Sequence, residues 1–104
     1  MNWQHFAFCF FCGMFLANAA PHLMHGVSGD RFPTPLAKPA GQGLSSPMTN
    51  TFWGLFNLAV GLILFLCAGK FGGQCNYCSL AVFFAGVAVM SIFSSWRFAT
   101  KHKE

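Results

Sequence analysis

The stretch MTNTFWGLFNLAVGLILFLCAG, residues 48–69, decides the fold because it contains no charged side chain over the length of a bilayer. A helix needs about 20 residues to cross roughly 30 Å of hydrocarbon. Two further charge-free apolar runs, at residues 3–20 and 78–96, are nearly as long. None of the three alternates with the two-residue period of a membrane β-barrel strand. The sequence therefore predicts an all-α integral membrane protein with three transmembrane helices in a small bundle.

The composition of the whole chain supports a lipid environment. Hydrophobic residues make up 55% of the 104 residues and charged residues only 8%, against roughly 25% charged in a typical soluble chain. A soluble domain of this size has a large surface to cover with polar groups. The net charge of +4 is clustered at the ends of the apolar runs, where membrane anchors lie. We therefore expect the lipid bilayer as a partner and no nucleic acid.

Residues 1–104 are predicted to form a single membrane domain. Ser46 can cap a helix and Pro47 suits its first position, whereas Pro21 should kink or end the first helix. The predicted segments are helix 1 at about residues 3–24, a Pro/Gly-rich loop at 25–46, helix 2 at 47–70, a short outer turn at 71–75, helix 3 at 76–97 and a basic tail at 98–104.

The loop at 25–46 is the only polar connection of any length. All five prolines lie between Pro21 and Pro47, and together with several glycines they predict a segment without regular structure. Two interpretations stay open. The loop is either a flexible linker, or an ordered segment folded against the inner end of the bundle.

The positive charges predict the orientation. Ala17-Asn18-Ala19 fits a signal-peptidase site, but no Lys or Arg precedes the first apolar run, so we expect helix 1 to be retained. An N-terminus outside and a C-terminus in the cytoplasm leave only Lys70 outside. Small size and compact loops suggest a bacterial inner membrane. The five cationic residues predicted to be cytoplasmic are Arg31, Lys38, Arg97, Lys101 and Lys103.

Small residues and amides indicate how the helices pack. An asparagine in hydrocarbon is costly unless it is hydrogen-bonded, so Asn18, Asn50 and Asn57 should point into the bundle, with an Asn18–Asn50 or Asn18–Asn57 contact. We interpret them as contacts between helices rather than as a substrate site. Stripes of small residues that allow close approach are Cys9, Gly13 and Ala17 in helix 1, Gly54, Gly61 and Ala68 in helix 2, and Ala81, Ala85 and Ala88 in helix 3.

Histidines are the candidate metal ligands. His22 and His25 are three residues apart and share one helix face, where a metal could be bound with Asp30 as a third ligand. The alternative, which we favour, is that they cap helix 1 and bond to the loop. His5 and His102 are expected to be solvated or interfacial.

Five cysteines form the other candidate cluster. Cys9 and Cys12 make one Cys-x-x-Cys motif and Cys75 and Cys78 another, and the predicted orientation places all five toward the outside. A Cys75–Cys78 disulfide is possible there. The arrangement resembles that of quinone-coupled membrane thiol oxidases, which have at least four spans.

The sequence does not specify a biochemical activity. No nucleophile–base pair or carboxylate pair is apparent, so we expect neither an enzyme nor a cofactor. The leading hypothesis is a non-enzymatic accessory, assembly or self-associating membrane component, with a membrane protein partner or a homo-oligomer. The alternatives are an oligomeric small-solute transporter or channel, and a thiol-redox or metal-handling protein that uses the cysteine pairs.

Overall fold

A computed structural model describes residues 3–71 and 76–99. It contains three helices, α1 (Trp3–Val27), α2 (Pro47–Phe71) and α3 (Asn76–Phe98), and two short strands, β1 (Phe32–Pro33) and β2 (Leu44–Ser45). Each helix is long and apolar enough to cross a membrane. The number and type of the long elements are therefore confirmed.

The end of α1 differs from the prediction. The helix passes through Pro21 and continues to Val27, beyond the predicted end at about residue 24. Of the two effects expected of Pro21, a kink or an end, the end was wrong. It ends where Gly29 adopts a φ of 81°. The amide of Asp30 then donates to the His25 carbonyl at 2.8 Å and the amide of Gly29 to that of Gly26 at 3.2 Å, which is a Schellman ending. Glycine, and not proline, is therefore the stop signal.

The start of α2 follows the prediction. Pro47 is the first helical residue, and the Ser46 Oγ accepts a hydrogen bond from the amide of Thr49 at 3.1 Å. This bond satisfies one of the amides that a helix leaves unpaired at its N-terminus. The predicted cap is confirmed.

The connecting loop, residues 28–46, is ordered. Strands β1 and β2 pair antiparallel, with Phe32 opposite Ser45, and the Thr34 hydroxyl bonds to that of Ser45 at 2.6 Å. The Thr34 carbonyl accepts from the amide of Gly41 at 2.8 Å. Of the two interpretations, the folded loop is the one the structure contains, and the expected absence of regular structure was wrong. Proline favours extended backbone in the residue before it, and Phe32, which precedes Pro33, lies in β1.

Helix α1 is the central element. His5 contacts Ala68 at one end of α2 and His22 contacts Asn50 at the other, so α1 and α2 are antiparallel. Helix α3 packs along another side of α1, and within the described residues α2 and α3 scarcely touch each other. The two flanking helices therefore share α1 as their common support, rather than forming a closed three-way bundle.

Glycines set the close approaches on the α2 side of α1. A Cβ on Gly54 would collide with Leu23, and one on Gly61 would collide with Leu16. The two leucines are seven residues apart on α1, as the two glycines are on α2. The predicted small positions Gly54 and Gly61 therefore receive side chains of α1.

On the α3 side, the contact is between backbones. A Cβ on Gly13 would meet the carbonyl oxygen of Phe83, and one on Gly86 would meet that of Phe10. The stripe predicted on helix 3 is therefore not the surface that faces α1, since Ala81 and Ala85 are exposed. Gly86 lies on the opposite side of the helix and makes the contact, because only a residue without a Cβ leaves room there.

Candidate functional site

Asn50 is the centre of a polar cluster where the loop meets the bundle. Its side chain is 0% exposed. The amide Nδ2 donates to the carbonyls of Phe32 at 2.9 Å, Ser45 at 3.2 Å and Ser46 at 3.1 Å. Its Oδ1 lies 2.8 Å from Nδ1 of His22. Because an amide oxygen only accepts, this nitrogen of His22 carries the hydrogen.

A second polar contact lies further into the bundle, one turn away along α1 and about two turns away along α2. Asn18 donates from Nδ2 to Oδ1 of Asn57 at 3.0 Å, and Asn57 donates from Nδ2 to the Trp53 carbonyl at 2.8 Å. Of the two predicted contacts, Asn18–Asn50 and Asn18–Asn57, the structure contains the second. It gives Asn50 a different partner, His22, which the sequence analysis assigned to a metal or to the cap of helix 1.

Phe32 joins the loop to two helices. The ring of His25 stacks on it, with centroids 4.3 Å apart and planes 13° apart. Phe98 of α3 lies against it at 4.8 Å and His22 at 5.3 Å. The loop is therefore held by an aromatic side chain between α1 and α3 as well as by the amide of Asn50.

A cavity of about 240 Å³ lies beneath the loop. We call it the loop-end cavity. Within the described chain, the Nε1 of Trp53 is the one buried side-chain nitrogen or oxygen without a hydrogen-bond partner. The polar or charged side chains that line the cavity are those of Asn18, His22, Thr34, Trp53 and Arg97.

The candidate metal ligands point to different partners. His22 bonds to Asn50, whereas His25 stacks on Phe32 and its Nδ1 lies 3.8 Å from Oδ2 of Asp30. Across residues 3–71 and 76–99, no three His, Cys, Asp or Glu side chains cluster closely enough to hold a metal ion. Both histidines are therefore used in holding the loop.

His5 marks the opposite end of the bundle. Its Nδ1 donates to the Ala68 carbonyl at 2.7 Å, and its Nε2 lies 2.6 Å from the Ser79 hydroxyl. The side chain is 7% exposed and joins all three helices, so the solvated position expected for His5 was wrong, whereas its interfacial depth stays a prediction. The Ser79–His5 bond is also a nucleophile–base contact, which was not expected from the sequence because the two residues are 74 apart in the chain. His102 lies outside the described residues.

Three of the described cysteines, Cys9, Cys12 and Cys67, are buried or partly buried within helices, whereas Cys78 is exposed. Cys9, Cys12 and Cys67 form no disulfide among the described residues, and Sγ of Cys9 lies 3.6 Å from Nε2 of His5. Cys9 and Cys12 line an apolar cavity of about 510 Å³ between α2 and α3. Cys75 lies outside the described residues, and so does the predicted bond between Cys75 and Cys78.

Architecture and site define the protein as a three-helix chain of membrane-spanning length, with a folded loop closing one end over a polar cluster. No protein-family model, curated protein or solved structure matches the chain.

Proposed function

We propose that the protein is a non-enzymatic component of a bacterial inner membrane that crosses the bilayer three times. The N-terminus lies outside and the loop and the C-terminus lie in the cytoplasm. Three helices of sufficient length and apolarity support this proposal. The orientation rests on the positive charges, because Arg31, Lys38 and Arg97 belong to the loop end and Lys70 to the other end.

We propose further that the protein works by lateral self-association through α3. The carrying observation is that Ala81 and Ala85 are exposed on this helix, on a face directed away from α1. At 3.6 residues per turn, positions 81, 85 and 88 fall within roughly 60° around the helix axis. Gly86, which contacts α1, lies on the other side.

Lipid makes this face a good interface. Apolar side chains gain little by leaving hydrocarbon, so helices in membranes associate through close packing of small residues and a few hydrogen bonds. The polar side chains Asn18, Asn50 and Asn57 already have partners within the chain. Association between copies would therefore depend on close packing rather than on these polar groups. A helix face with small side chains at its centre allows the backbone of a second helix to approach.

The test is the oligomeric size in detergent of wild type, Ala85→Trp and Ala59→Trp. Ala59 is an exposed alanine of α2, so it controls for adding a bulky ring to a lipid-facing surface. We expect wild type and Ala59→Trp to be oligomeric and Ala85→Trp to be monomeric with unchanged helicity. A monomeric wild type, or an equal effect of both substitutions, would contradict self-association through α3.

An oligomeric small-solute transporter is the second candidate, favoured by the polar side chains among those that line the loop-end cavity. Solute flux into proteoliposomes tests it. If the cavity belongs to a path between subunits, the wild type should conduct and the monomeric Ala85→Trp should not. Flux that is absent in wild type, or unchanged when the oligomer is lost, would exclude this candidate.

A further inference from the structure

We infer that the loop-end cavity binds a phosphate-type oxyanion, held by the guanidinium group of Arg97 and the indole N–H of Trp53. The source is either the free ion or the headgroup of an anionic lipid, since both present the same oxygen atoms. The inference does not depend on self-association through α3.

The indole of Trp53 supplies an unused donor. Its Nε1 is buried and unpartnered within the described chain, and the side chain lines the cavity. Leaving a buried donor unpaired costs about 1–3 kcal/mol, and such groups are rare in native proteins. Almost no surface of this nitrogen is accessible from the cavity, so a ligand oxygen would reach it only after a small shift of the indole ring, and the resulting bond would remove that cost.

Arg97 supplies the charge. It lines the same cavity from α3, and a Cβ placed on Gly41 would lie 3.1 Å from its Nη2, so glycine at this point of the loop leaves room for the guanidinium. Asp30, the one carboxylate among the described residues, faces His25 instead. A guanidinium group that has no carboxylate partner within the part of the chain that the structure describes matches the paired oxygens of a phosphate group.

The volume of the cavity and the ring of His22 limit which ligands can bind there. A volume of about 240 Å³ lies below the roughly 300–1,000 Å³ of pockets that take drug-sized molecules, which favours a small ion or a headgroup. His22 gives its Nδ1 hydrogen to Asn50. In the neutral ring the other nitrogen is then an acceptor, suited to a hydroxyl of hydrogen phosphate or of a glycerol headgroup.

The fluorescence of Trp53 provides the test. Trp3 and Trp96 are 70% and 72% exposed, so the double variant Trp3→Phe/Trp96→Phe should fold and leave Trp53 as the only indole. This protein is placed in nanodiscs of neutral phosphatidylcholine and titrated with inorganic phosphate, with potassium chloride at matched ionic strength as the blank. In a second arm, phosphatidylglycerol is added to the nanodiscs and phosphate is omitted.

Arg97→Gln and Lys38→Gln are compared in the same background. Lys38 is an exposed cation of the same loop and controls for unspecific attraction. We expect a saturable change in Trp53 emission, weakened at least tenfold by Arg97→Gln, partly restored by Arg97→Lys and changed less than twofold by Lys38→Gln. A response to phosphate identifies a free-ion site, and a response confined to phosphatidylglycerol identifies a headgroup site.

Three results of the fluorescence titrations would overturn the inference. They are no response in either arm, an equal response to chloride, and an equal loss in Arg97→Gln and Lys38→Gln. Circular dichroism of each variant shows whether the helices are intact. Calorimetry of Trp53→Phe supplies a second readout, and unchanged binding by that variant would also contradict the assignment.

Discussion

The two sides of α1 are built differently. Toward α2, α1 offers directional bonds, from Asn18 to Asn57 and from His22 to Asn50, and its leucines face glycines. Toward α3, the contact around Gly13 and Gly86 brings backbone against backbone, and the hydrogen bond of His5 with Ser79 lies at its end. Hydrogen bonds therefore set the register of α2 against α1, whereas the close packing of α3 against α1 depends chiefly on the absence of a Cβ atom at Gly13 and at Gly86.

This difference predicts unequal responses to mutation. An interhelical hydrogen bond in a membrane contributes about 0.6–2 kcal/mol, so losing one should remove only part of the free energy that holds α2 against α1. Overpacking typically costs about 1–3 kcal/mol and occasionally more. A Cβ aimed at a backbone atom has no side chain that can move aside, so its cost should lie at the upper end.

The largest effect is expected for Gly86→Ala. The new Cβ would meet the carbonyl of Phe10, so α3 must move away from α1, and the free energy of unfolding should fall by about 3 kcal/mol. Gly69→Ala is the matched control, because nothing lies within 4 Å of a Cβ at that position. It should leave stability unchanged or raise it by up to about 1 kcal/mol. Denaturation by SDS in mixed micelles measures both, and an equal response would show that α3 does not pack on Gly86.

Asn50→Leu should have the next largest effect. It removes the donor that serves the Phe32, Ser45 and Ser46 carbonyls. Leaving a buried group unpaired costs about 1–3 kcal/mol, but water can satisfy these carbonyls once the loop has left the bundle, so the net loss should stay below that of Gly86→Ala. We expect the loop to leave the bundle and to become sensitive to protease.

Gln42→Leu, at an exposed loop position, is the control for that experiment. It should keep the resistance of the wild type during limited proteolysis. If Asn50→Leu were as resistant as the control, Asn50 would not be what holds the loop.

The smallest effect is expected for the pair Asn18 and Asn57. A double-mutant cycle with Asn18→Ala and Asn57→Ala should give a coupling energy of about 1 kcal/mol. The same cycle with Asn18→Ala and Asn50→Ala tests specificity, since Asn50 bonds to His22 instead. Equal coupling in the two cycles would mean that the contact of Asn18 with Asn57 does not form.

The sequence allowed the elements to be predicted because their signals are local. Charge-free runs of bilayer length predicted three helices, and Ser46-Pro47 predicted the start of α2. The end of α1 was missed because Pro21 received more weight than Gly29, although a φ of 81° at Gly29 is what stops the helix.

The site was harder to predict because it depends on contacts across the chain. That an asparagine of α2 must find a partner follows from burial, but nothing local distinguishes Asn18 from His22 as the partner of Asn50. The contact of His5 with Ser79 spans 74 positions and requires knowing that α3 lies beside α1. The stripe at Ala81 has the same periodicity as an interface, and only the packed structure shows that Gly86 is the residue against α1.

The most direct measurement is labelling of single cysteines in intact bacterial cells by a membrane-impermeant maleimide. Gln42→Cys and Gly69→Cys, each in a variant without the native cysteines, place one thiol at each end of α2. The proposed orientation predicts that Gly69→Cys reacts in intact cells and that Gln42→Cys reacts only after the cells are broken. Equal reaction of both positions before lysis would contradict a chain that crosses the membrane at α2, and the reverse pattern would contradict its orientation.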